Sequence, residues 1–274
     1  MSNTKLNTVV AGCGRMGEPM LAALRKADFP ASGFDLRDPI SYGPIGDYIT
    51  NKTSDIPTNT TVLITVVRDI PQTESLLFGA QNLLRQLPAL THLVVSSTVS
   101  PRYIADLQSR VPCTLIDAPM SGAAIAAEQA RLSFMLGGPK TDIQHLMPLF
   151  SAMGAHFHHM GDTGAGMAAK VLNNLLAATN TATTRLILDW ADAANIDEQK
   201  LLDLIHTSSG QNWLASGFND IEFARDGFAL DNTIGILKKD VESALDAAPL
   251  GADTSLPETV IRQITALTPR PAKN

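Results

Sequence analysis

Thr8-Val-Val-Ala-Gly-Cys-Gly-Arg-Met-Gly17, followed by Glu18-Pro-Met-Leu-Ala-Ala-Leu-Arg-Lys26, decides the fold. A short apolar run without alternation reads as a strand covered on both faces, as in parallel sheets. It ends in glycines spaced G-x-G-x-x-G, and an amphipathic stretch predicted to be helical follows at once. Gly12 permits the tight turn, Gly14 lets a phosphate approach the backbone, and Gly17 lets the helix pack closely on the strand. The helix start adds free N–H groups and partial positive charge. Pro19 falls in the first turn, where a missing N–H costs little. The next strand-like run ends at Asp35, 18 residues after Gly17. That is the spacing of the acid that bonds the adenosine ribose hydroxyls of a dinucleotide. The carboxylate repels a 2′-phosphate and so favours NAD over NADP, while Arg37 partly offsets it. Taken singly, the same residues also suit a plain backbone turn and a solvated strand end.

Working outward, residues 62–67 (VLITVV), 93–95 and 114–116 read as further strands, with 132–136 and 156–160 as weaker candidates. Strands alternating with amphipathic stretches predict a doubly wound α/β domain. After residue 160 the pattern changes. Residues 161–166 (GDTGAG) form a glycine-rich joint, and 167–195 contain neither proline nor glycine. Apolar residues at helical spacing there predict a helix of about 42 Å. The remainder reads as helices near 198–207, 233–248 and 256–267, with a loose tail from residue 269. The expectation is an α/β domain over 1–163 and an all-α domain over 164–274, joined by a long helix.

The 274 residues are 45% apolar and 18% charged, as in an ordinary globular protein. The net charge of −6 argues against nucleic acid or anionic membrane as a main partner. No apolar run reaches the roughly 18 residues of a membrane-spanning helix. The polar start carries no signal pattern and there are two cysteines. A cytoplasmic location is therefore the expectation. His156, His158 and His159 lack other ligands nearby in sequence, so no metal is expected. Cys13 reads as a small space-filler or a redox-sensitive thiol at a helix start.

Lys170, Asn173 and Asn174 fall at i, i+3 and i+4 on the long helix, amid Ala, Val, Leu and Met. An ammonium in a partly dry pocket loses affinity for its proton and can exchange it with an alcohol. The alternative is a lysine reaching water and asparagines capping turns.

Four ordered motifs together resemble the 3-hydroxyisobutyrate dehydrogenase, or β-hydroxy acid dehydrogenase, family. They are residues 10–20 (VAGCGRMGEPM), 117–122 (DAPMSG), 164–174 (GAGMAAKVLNN) and Lys239-Asp240 after Gly227-Phe228. The resemblance implies a Rossmann-like N-terminal domain and an all-α C-terminal domain. It implies NAD, with NADP as the alternative, bound by Gly12, Cys13, Gly14, Arg15, Met16, Gly17, Asp35, Val67, Thr98 and Lys239. Lys170 would be the general acid/base. Ser121, the Gly122 N–H, Asn174 and Thr98 would hold a small carboxylate-bearing substrate. A homo-oligomer, dimer or tetramer, is implied too. This chain departs from the family with Ala123 where a second glycine is usual, and with Val66-Val67-Arg68 where the strand usually ends in Leu-Pro. The imine reductases lack the lysine, so Lys170 argues against that branch. A non-catalytic dinucleotide-binding scaffold is disfavoured by Lys170 and Asn174.

Overall fold

The computed structural model describes residues 6–272. They form two compact units that divide after Lys170.

The first unit holds β1 (Thr8–Ala11), β2 (Ala31–Phe34), β3 (Ile49–Thr50), β4 (Val62–Thr65), β5 (His92–Val95), β6 (Thr114–Asp117), β7 (Met120–Ser121), β8 (Leu132–Gly137) and β9 (Gly154–Gly161). They make one sheet in the order β3-β2-β1-β4-β5-β6-β8-β7, with β9 beside β8. β1 to β6 are mutually parallel. β8 is antiparallel to β6 and β7 and parallel to β9. The helices are α1 (Gly17–Lys26), α2 (Ile70–Leu77), α3 (Leu83–Gln86), α4 (Pro101–Arg110), α5 (Ala123–Glu128) and α6 (Lys140–Met153).

Because strand side chains alternate, one apolar run feeds two cores. Val10, Ile64, Val94 and Ile116 pack with Met20, Leu21 and Leu24 of α1 and Leu146 and Phe150 of α6. Val9, Leu63, Leu93 and Leu115 pack on the other face with Leu76 and Leu77 of α2 and Ile104 and Leu107 of α4. The strand order reverses between β1 and β4, so their carboxyl ends open a crevice where doubly wound sheets take ligands.

α7 (Ala165–Ala193) starts in the first unit and runs 29 residues into the second. There follow α8 (Glu198–His206), α9 (Trp213–Ser216), α10 (Thr233–Asp246) and α11 (Ser255–Thr265). Side chains of Asp197, Asn212 and Asn232 accept N–H bonds from the first turns of α8, α9 and α10, so polar residues start these helices. Ala178 and Ala182 of α7 pack against Ile234, Leu237, Val241, Val260 and Ile264. Leu188 packs with Leu202, Ile205, Leu214 and Phe218. Among the described residues no strand follows β9, and no helix is long and apolar enough to cross a membrane.

The tail expected to be loose is anchored instead, while Lys273 and Asn274 lie outside the described residues. Arg270 is buried, with Nε 2.6 Å from Glu198 Oε2, Nη1 2.8 Å from Asp189 Oδ1 and Nη2 2.8 Å from Asp192 Oδ2. Arg185, also buried, donates to the carbonyls of Ala224, Asp226 and Thr268. A Pro-flanked polar ending shows no periodicity, so the sequence pattern misses a contact made by one fork of donors meeting carboxylates from α7 and α8. Burial works to raise the Glu198 carboxyl, but bonds from Arg225 and Arg270 more than offset it and hold it below its ordinary value.

A carboxyl with a lowered folded pKa stabilises above its unfolded pKa and loses that contribution as pH falls through the folded value. Thermal unfolding should therefore show stability dropping below about pH 4.3, the ordinary Glu value. Glu198→Gln should flatten that acid limb. Arg270→Ala should cost about 3 kcal/mol at neutral pH, by leaving the buried Glu198 carboxylate short of a partner.

Candidate active site

The loop after β1 has the features a pyrophosphate cradle requires. Gly12 has φ +96°, and a Cβ there would lie 2.6 Å from the Val66 carbonyl oxygen. A Cβ on Gly14 would meet nothing within 4 Å, so space lies open over that residue. α1 begins after Met16, which offers its first turn no side-chain cap. Its leading N–H groups therefore suit an anion. Cys13 is wholly buried and its Sγ points to the carbonyls of Val10 and Phe34. Burial pushes its thiol up to about 12, which favours the space-filling reading over a reactive thiol.

Asp35 follows β2, and its Oδ1 accepts the Arg37 backbone N–H at 3.0 Å. The Arg37 guanidinium bonds back to Asp35, donates to the Cys13 carbonyl at 2.7 Å, and lies 4.7 Å above the Tyr42 ring centre. Partial burial works to raise the Asp35 carboxyl, but the Arg37 N–H and guanidinium hold it below its ordinary value. It is ionised at neutral pH.

The other candidates of the first unit follow the carboxyl ends of β4, β5 and β6. Val67 N–H donates to Ser97 Oγ at 2.9 Å, and Val99 N–H points to Met167 Sδ at 3.5 Å. Thr98 is thus held between a neighbour tied to the β4 end and one tied to α7. Lys170 lies three residues beyond Met167 on the same face of α7 and is 7% exposed. Ser121 ends β7 and Gly122 precedes α5 with φ +128°. Ala123 takes φ +56°, a left-handed conformation that an alanine adopts at a cost. The family's usual glycine at this position has its physical reason there. Arg68 is exposed just past the β4 end, its N–H bonded to Gln72 Oε1.

What fixes α7 was missed in the sequence. Asp117 Oδ1 accepts the Gly164 N–H at 2.6 Å and Oδ2 that of Met167 at 2.5 Å. Burial pushes the Asp117 carboxyl up, against the pull of these N–H groups. Gly166 passes so close to the sheet that a Cβ would sit 2.4 Å from the Met135 carbonyl oxygen. The 47-residue separation between Asp117 and Gly164 hides this contact from any local pattern.

In the second unit Asn174, 8% exposed, donates Nδ2 to Asp240 Oδ2 at 2.5 Å. Lys239 Nζ lies 2.9 Å from the other Asp240 oxygen. Asp240 thus fixes the amide of Asn174, a role the motif pair Lys239-Asp240 did not disclose by itself. Asn173, expected to share the face of Lys170 and Asn174, is exposed and donates to Asn174 Oδ1. Phe218 is core, whereas Trp213 is partly exposed beside Phe223. His156, His158 and His159 are exposed along β9, and no group of three or more His, Cys, Asp or Glu among the described residues is placed to hold a metal.

A doubly wound sheet with this loop, Asp35, and a buried lysine on a long helix defines an NAD(P)-binding oxidoreductase. The family described as the NAD binding domain of 6-phosphogluconate dehydrogenase matches residues 7–161. That described as NAD-binding of NADP-dependent 3-hydroxyisobutyrate dehydrogenase matches residues 164–268. The 3-hydroxyisobutyrate dehydrogenase of Pseudomonas aeruginosa is 31% identical, over 88% of this chain and 87% of that protein. The NAD-dependent L-serine dehydrogenase of the same organism is 30% identical, over 76% and 72%. A solved structure of Mycobacterium tuberculosis 3-hydroxyisobutyrate dehydrogenase with L-serine shares the fold with TM-score 0.79 at 23% identity, covering 96% of each chain. The chain belongs to the 3-hydroxyisobutyrate dehydrogenase family of β-hydroxy acid dehydrogenases.

Asp117→Asn keeps one acceptor but turns an NH2 group toward the second N–H, and should lower stability by about 2 kcal/mol in chemical denaturation. Ala123→Gly should raise stability by about 1 kcal/mol by relieving the left-handed alanine, read in the same assay.

Proposed function

We propose that this enzyme oxidises a small 3-hydroxy acid, or reduces the matching semialdehyde, with NAD preferred over NADP. The single observation that carries the assignment is the burial of Lys170, with Asn174 one turn on along the same helix. An amine withdrawn from water at a dinucleotide-binding unit suits proton exchange far better than surface solvation.

The roles follow from donor chemistry. A nicotinamide bound at the glycine loop would supply the hydride acceptor for the hydroxyl-bearing carbon, or the donor in reverse. Lys170 Nζ takes the hydroxyl proton as the carbon is oxidised and gives it back in reverse. Ser121 Oγ and the Gly122 N–H hold the substrate carboxylate, which fixes the reacting carbon. Thr98 orients the hydroxyl. Asn174, its amide locked by Asp240, bonds the substrate and places the lysine. The residues 12–17 loop, Asp35 and Val67 hold the dinucleotide, with Lys239 contributing from the helical half. The arrangement of Arg37 supports the NAD preference, because its guanidinium is already spent on Asp35 and the Cys13 carbonyl.

The domain boundary is drawn at 163/164, which the two family matches support. A cytoplasmic homo-oligomer, dimer or tetramer, completes the proposal. Its substrates carry a carboxylate, and neither nucleic acid nor membrane is a partner. The relatives' names make 3-hydroxyisobutyrate and L-serine the first compounds to try.

Purified protein assayed across short 3-hydroxy acids with both cofactors should turn over at least one of them, faster with NAD⁺. Lys170→Ala should lose about 10³-fold in kcat while titration with NADH shows unchanged binding. Retained turnover would remove the lysine from its role. Asp35→Asn should shift the kcat/KM ratio about tenfold toward NADP⁺ by removing a repulsion of ~1.4 kcal/mol.

A further inference from the structure

Arg68 stands at the mouth of the crevice between β1 and β4, where this sheet takes ligands. Thr65 of β4 pairs with Ala11 of β1, so the chain leaves β4 alongside the glycine loop. The approach is close. A Cβ on Gly12 would lie 3.0 Å from Val67 Cγ1, and one on Gly17 would lie 3.4 Å from Val66 Cβ. Side chains along β4 alternate between the two cores. Ile64 and Val66 pack on the side of α1, Leu63 and Val67 on the other. Continued by one residue, that alternation brings Arg68 up on the side of α1. Gln72 Oε1 accepts its N–H at 3.0 Å and so ties this backbone to α2. The residue is exposed, and among the described residues no acceptor engages its guanidinium. Arg37, on the far side of β1, is already bonded to Asp35 and to the Cys13 carbonyl.

We infer that Arg68 is a cofactor-binding residue whose guanidinium reaches over the glycine loop and holds the dinucleotide pyrophosphate from the β4 side. The inference rests on the dinucleotide site proposed above and adds to it a contact from outside the glycine motif. Residues 12–18 carry one cation, Arg15, and one anion, Glu18 in the first turn of α1, so their formal charges cancel. The helix start adds roughly half a positive charge. A pyrophosphate is dianionic, so the cradle by itself leaves most of that charge unmatched. Arg68 supplies a whole cation, and its planar fork suits two parallel N–H bonds to phosphate oxygens. Its reach selects this anion over the others. Neighbouring strands lie about 4.8 Å apart. An extended arginine spans roughly 6 Å from Cα to Cζ. The glycine loop follows β1, the strand next to β4. A 2′-phosphate would sit beside Asp35, past β2 and a second strand away. Ser121 follows β6 through β7, with β5 intervening. Of the three anion positions, the loop alone belongs to an adjacent strand.

Fluorescence titration of the full-length protein with NADH should show Arg68→Gln binding about tenfold more weakly than wild type. Arg68→Lys should lose only about two- to threefold, because it keeps the charge without the fork. As competitors of NADH, ADP-ribose should lose the same factor as NADH and adenosine, which has no phosphate, should lose nothing. Added KCl should weaken NADH binding less steeply in Arg68→Gln than in wild type. In turnover the change should fall in KM for NAD⁺ and spare KM for the hydroxy acid. Equal NADH affinity in Arg68→Gln and wild type would overturn the contact and leave the dinucleotide site standing. So would a loss confined to the hydroxy acid, which puts Arg68 at the substrate carboxylate, or one confined to NADPH, which puts it at the 2′-phosphate. A wild type that binds neither NADH nor ADP-ribose would overturn the contact together with the site it rests on. Should Arg68→Gln lose its circular dichroism signal, Arg68→Ala takes its place in the same comparison.

Discussion

Asp117 ends a buried strand with its two carboxylate oxygens turned to the N–H groups of Gly164 and Met167. Burying a carboxylate is costly unless its lone pairs are met. The start of a helix supplies several free backbone donors at once. The cost on each side is met by the other, so the sheet and the long helix fix each other. Through Met167 the same turn touches Val99, and through Ser97 the Thr98 segment reaches Val67, beside the glycine loop. A chain of single contacts thus runs from the cofactor loop to the turn before Lys170. Under the proposed roles, placing the ammonium depends on how firmly Asp117 holds that turn.

α7 then carries different chemistry on different faces. One face bears Lys170 and Asn174, both buried, and the latter is held by Asp240. Ala178 and Ala182 are small enough to let α10 and α11 pack closely against the same helix. The remaining face bears the exposed Leu172, Leu176, Leu186 and Trp190. A helix serving a site, a core and a surface can spare few positions for charge, which explains its composition from Val171 to Thr184. That composition also explains why a plain search for amphipathic periodicity sees only a long helix.

The strands and the glycine loop were legible because their signals are local. A two-sided apolar run has no polar alternation, and G-x-G-x-x-G at its end has few other uses. Even the weaker candidates at 132–136 and 156–160 became β8 and β9. What stayed hidden is non-local or too short to show a period. β7 has two residues, α3 and α9 four each, and each is placed by tertiary contacts. Asp117 and Asp240 stood within quoted motifs, yet their partners lie 47 and 66 residues away. The anchored tail was misread for the same reason: Arg270 meets carboxylates 72 to 81 residues earlier in the chain.

The departures from family pattern have separate physical accounts. Ala123 keeps a backbone conformation made for glycine, so the loop after Ser121 retains its path and the alanine carries the strain. Arg68 replaces the usual proline, and its N–H is satisfied by Gln72, a bond a proline could not make. The residue beside Asp35 is the more instructive case. Read from sequence, Arg37 stands ready to accept a 2′-phosphate. Folded, its Nε bonds the Asp35 carboxylate, its Nη2 bonds the Cys13 carbonyl, and its plane covers Tyr42. An arginine so held is a brace for the acid, keeping it ionised and aimed. Recruiting it to a phosphate would break those bonds and leave a carboxylate facing a dianion, which is the physical ground for the NAD preference proposed above.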